Sequence, residues 1–433
     1  MSAQAANGVA IVAPTPLASA TRLRIFAYLG VLIVLLGFGA PYGGFIEVPI
    51  TFFLKNRLHL AAHEVAVFRL IAAIPLYLGV VFGFARDTFN PLGQRDRGFF
   101  ILFGAATSAI YLFFAFSQIT YAGLMAAMVF STIAFQFVAG AQMGLTSALG
   151  QQHVMSGRIA AAWSVFLYVP VLTANFMGGT LSQMLEGQKA DQAARILFLA
   201  GAAIMAAVAV YGLWRPASVF DNVHAERAEG ASRLADLKRL VRHWPIYPAL
   251  TVWLLWCFSP GSATPLQFFM QNTLHATDAQ WGEWNAIFIA GFIPTFLLFG
   301  WLCRRVRLRS LLFWGTLVAV PQMVPLAFIH SVNEALVAAA IIGLLGGVCT
   351  AAYTDLIIRS CPPGLQGAVL MMFWALYYIA ARFGDILGAD LYDRFHNFNA
   401  CVIAITVVYA LILPTLLLVP RRLTATVDGE VPA

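Results

Sequence analysis

Gly83-Phe84-Ala85-Arg86-Asp87-Thr88-Phe89-Asn90-Pro91-Leu92-Gly93-Gln94-Arg95-Asp96-Arg97 is a charged stretch held between two apolar runs. Each run is close to the ~20 residues that a helix needs to cross a bilayer. The stretch therefore reads as a tight hairpin between two membrane helices. Gly83 lets a neighbouring backbone approach closely. Asp87 sits at a helix end, where it can pair with Arg95 or Arg97 or cap the terminus of an adjacent helix. Such a charge cluster can latch a gate in one conformation and release it in another. From the sequence, the plainer reading of a basic loop with ordinary salt bridges stays open.

The same alternation fills the rest of the chain. Of its 433 residues, 61% are apolar and 10% charged, against roughly 25% charged in a soluble domain. Too few charges remain to coat a water-facing surface, so the expected solvent is lipid. Twelve apolar segments can be marked, at 24–46, 64–85, 98–118, 121–146, 158–184, 194–214, 246–270, 282–302, 309–329, 334–359, 366–390 and 399–420. The third and fourth are nearly continuous, with a break around Gln118 to Tyr121. The first, from Ile25, is too long for a signal-peptide core and reads as a retained helix.

The fold class expected is an all-α polytopic membrane protein with twelve transmembrane helices in two pseudo-symmetric six-helix bundles. Residues 1–22 read as a disordered cytoplasmic N-terminus, 23–214 as the first bundle and 215–244 as a cytoplasmic linker. Residues 245–420 read as the second bundle and 421–433 as a cytoplasmic tail. Within the linker, Leu234, Leu237, Leu240 and Val241 recur at helical spacing among basic residues, the pattern of a helix lying on the inner leaflet or of a solvated linker with some helix. A weak repeat agrees with two halves: Gly83 and Gly300 each end an apolar run before an Arg-rich loop, 217 residues apart.

Charge placement orients the bundle. With the N-terminus inside, nineteen of the 26 basic residues fall in inner segments, five in outer loops, and Arg69 and Arg382 within spans. That asymmetry places both termini in the cytoplasm of what reads as a bacterial inner (plasma) membrane. The net charge of +7 is thus a topology signal, and no nucleic acid is expected as a partner. The five cysteines, Cys257, Cys303, Cys349, Cys361 and Cys401, form no CxxC pair and indicate neither a metal site nor a disulfide framework. No Walker A pattern is visible, so ATP is not expected to drive the protein directly, and no cofactor is implied.

The loop at 83–97 resembles the signature that the major facilitator superfamily carries between its second and third helices: a glycine, an aspartate, then basic residues opening the third helix. Asp87, Arg95 and Arg97 match, while Arg86 and Asp96 depart from the pattern. Pro91 and Gly93 before the basic cluster are similar to the folate–biopterin transporter branch. So is Arg359-Ser360-Cys361-Pro362-Pro363-Gly364-Leu365-Gln366-Gly367, although that branch often has an acidic residue where this chain has Gln366. Muropeptide permeases and cation-coupled sugar symporters use related loops, so substrate does not follow. The resemblance implies a secondary transporter whose first helix lines a central cavity, with two halves rocking around the site.

Polar groups at membrane depth are functional candidates by default. Glu47, near the outer end of the first helix, is the candidate proton carrier, because desolvation raises a carboxyl pKa toward neutrality. Arg69 is a candidate for attracting an anionic substrate or pairing with Glu47, or it snorkels to the interface. Gln136, Gln142, Asn175, Trp256, Gln267 and Tyr353 are candidate substrate contacts, since amides and aromatics hydrogen-bond and stack on planar solutes. They equally suit gluing helices together. Asp355 and Arg359, at i and i+4, read as an inner gate or a helix-end pair, and Arg382 with Asp385, at i and i+3, as a structural pair. The expected partners are membrane lipid, a small organic, anionic solute, and a coupling proton or cation. A membrane-embedded transferase is the alternative, but His275, Asp278, Glu283, His330 and Glu334 show no catalytic spacing. A non-transporting sensor or assembly factor on a transporter fold is the other alternative.

Overall fold

Within lipid, backbone donors and acceptors find no water, so apolar spans must satisfy them internally as helices. The structure, a computed structural model, describes residues 17–42, 46, 50, 54, 58, 62–117, 120–185, 190–221 and 233–430, and its regular elements are all helical. The main helices are α1 Ser19–Gly39, α2 Ala62–Ala72, α3 Gly79–Thr88, α4 Asp96–Ala115, α5 Tyr121–Gln152, α6 Ser156–Leu185 and α7 Ala190–Tyr211. The second part of the chain contributes α8 Arg233–Arg242, α9 Ile246–Cys257, α10 Asp278–Leu302, α11 Leu308–Ala319, α12 Val332–Ser360, α13 Gln366–Phe395 and α14 Asn399–Ala410.

Local chemistry sets the boundaries. Pro75 has no N–H to give, and the second apolar run is interrupted on either side of the short turn Ile74–Tyr77. Thr120 caps α5 by accepting from the Gly123 N–H. Thr277 and Gln280 form a reciprocal capping box at the start of α10. His396 closes α13 in the left-handed conformation, φ 49°. Among the described residues, nine stretches are long and apolar enough to span a membrane, and Arg195–Tyr211 and Ile246–Cys257 are shorter apolar helices. Large apolar side chains such as Val81, Phe113, Leu297, Phe383 and Ile403 stand exposed along these helices. A water-soluble protein of this size would bury such a surface; lipid covers it here.

Helix α4 packs along α7, α10 along α12, and α1 along α6, while α3 against α13 and α6 against α10 join the first part of the chain to the second. The loops that end α3, α5, α7, α10 and α12 gather at one end of the bundle, with the segment 421–430. We call this the basic end. The expected amphipathic linker helix is present as α8, which leaves Leu234, Leu237 and Val241 exposed and buries Leu240. The Arg239 guanidinium ties it to the Pro363 carbonyl at 2.8 Å.

Candidate functional site

At the basic end, α3 finishes in Arg86-Asp87 and the chain reverses before α4. The reversal uses left-handed backbone at Leu92 (φ 56°), Gly93 (φ 67°) and Arg95 (φ 52°), and the Asn90 side chain accepts from the Arg95 N–H at 2.6 Å. This brings Asp96, in the first turn of α4, back onto Arg86. Arg86 Nε and Nη2 donate to the two Asp96 oxygens at 2.5 and 2.7 Å, and Nη1 donates to Asp87 Oδ1 at 2.9 Å. The Asp87 carboxylate also accepts from the Gly367 N–H at 3.1 Å and the Ala368 N–H at 2.7 Å, both in the first turn of α13. Those N–H groups are the positive end of a helix and have no intrahelical partner.

The approach needs Gly83, because a Cβ there would lie 2.2 Å from the Gly367 carbonyl oxygen. Two carboxylates share one guanidinium, so the cluster is net negative. Burial pushes the Asp87 carboxyl up to about 6, against the opposing pull of Arg86 and the two helix N–H groups.

Further polar contacts join the two parts of the chain at the same end. Gln151 Nε2 donates to the carbonyls of Ile358 and Cys361, both at 2.8 Å, and Gln151 Oε1 accepts from Gln366 at 3.0 Å. Arg359 holds Asp355 with two hydrogen bonds of 2.9 and 3.1 Å and reaches Ser156 Oγ at 3.1 Å. In the bundle interior, Trp163 of α6 meets Trp374 of α13 edge to face at 6.1 Å, and Trp374 continues to Tyr377 at 5.3 Å. Tyr168 stands edge-on to Phe296 at 5.0 Å. Tyr377 keeps 38% of its surface accessible.

The profile of the Major Facilitator Superfamily matches residues 155–385, just over half of the chain. The chain belongs to the major facilitator superfamily. Two solved structures share this superfamily member's fold. One is the human organic anion transporter MFSD10 (TETRAN), at 14% identity and a TM-score of 0.61, covering 92% of this chain and all of that one. The other is the superfamily transporter FucP in the outward conformation, at 13% identity and a TM-score of 0.66, covering 92% of this chain and 99% of that one. Likeness at such identity shows the fold alone. No curated protein matches the sequence. The fold is a transporter fold, consistent with a non-enzymatic function.

Within this superfamily member, Asp87 lies in the Arg86–Asp96 cluster, but Arg95 and Arg97 do not pair with it. Arg95 is exposed on the turn, and Arg97 reaches away to the Gly212 and Leu213 carbonyls at 2.9 and 2.7 Å, closing the end of α7. The expected pair of Arg382 and Asp385 does not form. Asp385 instead accepts from the N–H and hydroxyl of Thr264, both at 2.8 Å, at the start of the short helix Thr264–Phe268, and Arg382 is exposed. Two hydrogen bonds at a helix N-terminus outcompete one i, i+3 contact.

Gln136 donates to the Pro75 carbonyl at 3.2 Å and Gln142, within α5, to Thr146 Oγ1 at 2.9 Å, and both are buried. Tyr353 is buried, with its hydroxyl 2.7 Å from Thr316 Oγ1. Trp256 stacks on Tyr409 at 4.7 Å, and Gln267 is half-buried in Thr264–Phe268. Arg69 is exposed on α2, and its carbonyl accepts from the Tyr42 hydroxyl at 3.0 Å. Glu47 and the side chain of Asn175 lie outside the described residues. Sequence reasoning missed the roles of Arg86 and Asp96, set aside as departures, and of Gln151, Arg158 and Asp428. Two acids among three bases within fifteen residues was the available signal for the first two.

Proposed function

We propose that the chain is a secondary active transporter that moves a small organic, anionic solute by alternating access. The observation that carries this reading is the placement of the polar contacts between the first and second parts of the chain. Among the described residues they lie at the basic end: Asp87 on α13, Gln151 on the α12–α13 loop and Arg359 on Ser156. Ion pairs and capped helix ends can part and re-form without tearing a shared core, which suits a gate. In this reading twelve spans form two six-helix halves, with residues 64–85 and the shorter helices α7 and α9 completing the count. The basic end faces the cytoplasm by the positive-inside pattern.

The solute would bind against the aromatic group of Tyr377, Trp374 and Tyr168, where rings stack on a planar body. Trp256 and Gln267 are the outlying candidates. Arg69 would draw the anion toward the outer mouth, and Glu47 would carry the coupling proton of a symporter. Resemblance of two loops to the folate–biopterin branch favours a planar anion, and the likeness to an organic anion transporter agrees with it.

The test is uptake of a library of organic acids by liposomes holding the purified protein, with an imposed pH gradient. Accumulation of a planar acid that is lost in Trp374→Ala, and uncoupled from pH in Glu47→Gln, is the result expected. Movement of no organic solute in either direction would overturn the proposal.

A further inference from the structure

The Gly83 turn has a partner 217 residues on, where Gly300, Cys303 and Arg304 stand in place of Gly83, Arg86 and Asp87. The second turn therefore has no carboxylate at the latch position, and Arg304 is exposed. The helix it would cap is nevertheless built for a cap. The first turn of α6, Ser156-Gly157-Arg158, repeats the close approach seen at Gly367. A Cβ on Gly157 would come 2.9 Å from Cys303 Cβ, and one on Gly367 would come 2.8 Å from Asp87 Oδ1.

The missing carboxylate arrives from another segment. Asp428 Oδ1 accepts from the Gly157 N–H at 2.9 Å, its other oxygen accepts from Arg158 Nε, and its own N–H donates to the Cys303 carbonyl at 2.9 Å. Leu423 and Thr426 offer their carbonyls to Arg359 at 3.3 and 3.2 Å, and Arg359 is already bound to Asp355. Residues 423–428 thus fill the junction of α6, α10 and α12, and Asp428 is 6% exposed.

We propose that Asp428 is the positioning residue of a second latch at the basic end. The segment 421–430 supplies the carboxylate that the Cys303-Arg304 turn lacks, and it holds α6 to α10 and α12 until it withdraws. The proposal rests on the reading that the two halves move against each other. Chemically the junction is balanced: Arg158 and Arg359 face Asp355 and Asp428. Withdrawal of the segment leaves Arg158 and the α6 N-terminus without their acceptor. Neither stays dry at low cost, so release of the segment and parting of α6 from α10 are coupled.

Cys303, buried under this segment, gives a readout that needs no solute. Membrane-embedded protein is treated with N-ethylmaleimide, and the labelling rates of Cys303 and of Cys401, buried against the Gly388 carbonyl, are followed by peptide mass spectrometry. Asp428→Asn, and a stop after Thr424, are expected to speed Cys303 about tenfold or more, the shift that losing a charge-assisted hydrogen bond gives. Cys401 should not change, and Asp428→Glu should restore most of the protection. Where Asp428→Asn fails to accumulate, Arg158→Gln breaks the same pair from the other side and carries the same expectation. A Cys303 rate within about twofold of the wild type, or a rise shared equally by Cys401, overturns the latch. A flat response leaves the transport reading standing. Failed solute movement with a full response removes only that reading.

Discussion

Replacing Gly83 with alanine puts the central contact under direct load. The added Cβ would sit 2.2 Å from the Gly367 oxygen, 2.5 Å from its carbonyl carbon and 2.8 Å from Ala368 Cα, all backbone atoms that no rotamer change moves. Relief requires α3 and α13 to part by roughly 1 Å. The Asp87 bonds of 3.1 and 2.7 Å then stretch toward or beyond about 3.5 Å, where a hydrogen bond is largely lost. Taking the low end of each range, one charge-assisted bond is worth about 1.5 kcal/mol and overpacking costs about 1 kcal/mol. The sealed basic end then loses ~2.5 kcal/mol relative to the open one, on the order of 70-fold in population.

Pulsed electron resonance reads this shift between spin labels at Leu92→Cys and Pro363→Cys, both exposed, in a background with the five native cysteines replaced. Gly83→Ala should move the distance distribution from one short population to a longer one. Gly282→Ala, where a Cβ meets nothing within 4 Å, should leave it unchanged. A wild-type distribution in Gly83→Ala would refute the reasoning.

Three further outcomes are expected. The Asp87 carboxyl is raised to about 6 in the sealed state, while an exposed aspartate titrates near ~4. Protonation therefore favours the sealed state below about 6, and that preference is lost as the basic-side pH rises through 6; the same spin pair should show this, and Asp87→Asn should abolish the step. Arg86→Gln leaves Asp87 and Asp96 buried together without their shared cation, a loss of about 3–5 kcal/mol, whereas Arg95→Gln on the exposed turn should stay within about 0.5 kcal/mol; thermal unfolding of purified protein compares them. Asp385→Asn should cost about 1 kcal/mol through the weakened cap on Thr264, and Arg382→Gln close to nothing, read in the same unfolding assay.

Much of the fold was legible because lipid imposes it. An apolar run of spanning length has helix as its open choice, and the break between the third and fourth runs falls where α4 ends at Ala115 and α5 begins at Tyr121. Asp355 and Arg359 were readable as a pair because both lie on one helix face, four residues apart. Of the contacts that cross between helices, one was offered by the sequence, Asp87 capping the terminus of an adjacent helix; the partner helix was not. Spacing within the loop pointed Asp87 at Arg95 and Arg97. Three residues with left-handed backbone between Leu92 and Arg95 turn the chain so that Asp96 meets Arg86 instead. Arg382 and Asp385 satisfied the helical spacing rule, but a rule of that kind holds no information about a better donor on a neighbouring helix. Asp428 meets Arg158 across 270 residues, a separation at which no local pattern operates.

Alternating access requires reciprocity: the basic end and the opposite end of the bundle open in turn. Two spin pairs in otherwise identical protein in liposomes measure it, Leu92→Cys with Pro363→Cys at the basic end and Ser117→Cys with His330→Cys at the other. Gly83→Ala is expected to lengthen the first distance and shorten the second together. Lengthening at the basic end while the far pair keeps its wild-type distance would contradict it, because the bundle would then be fraying at one end and not rocking between two states.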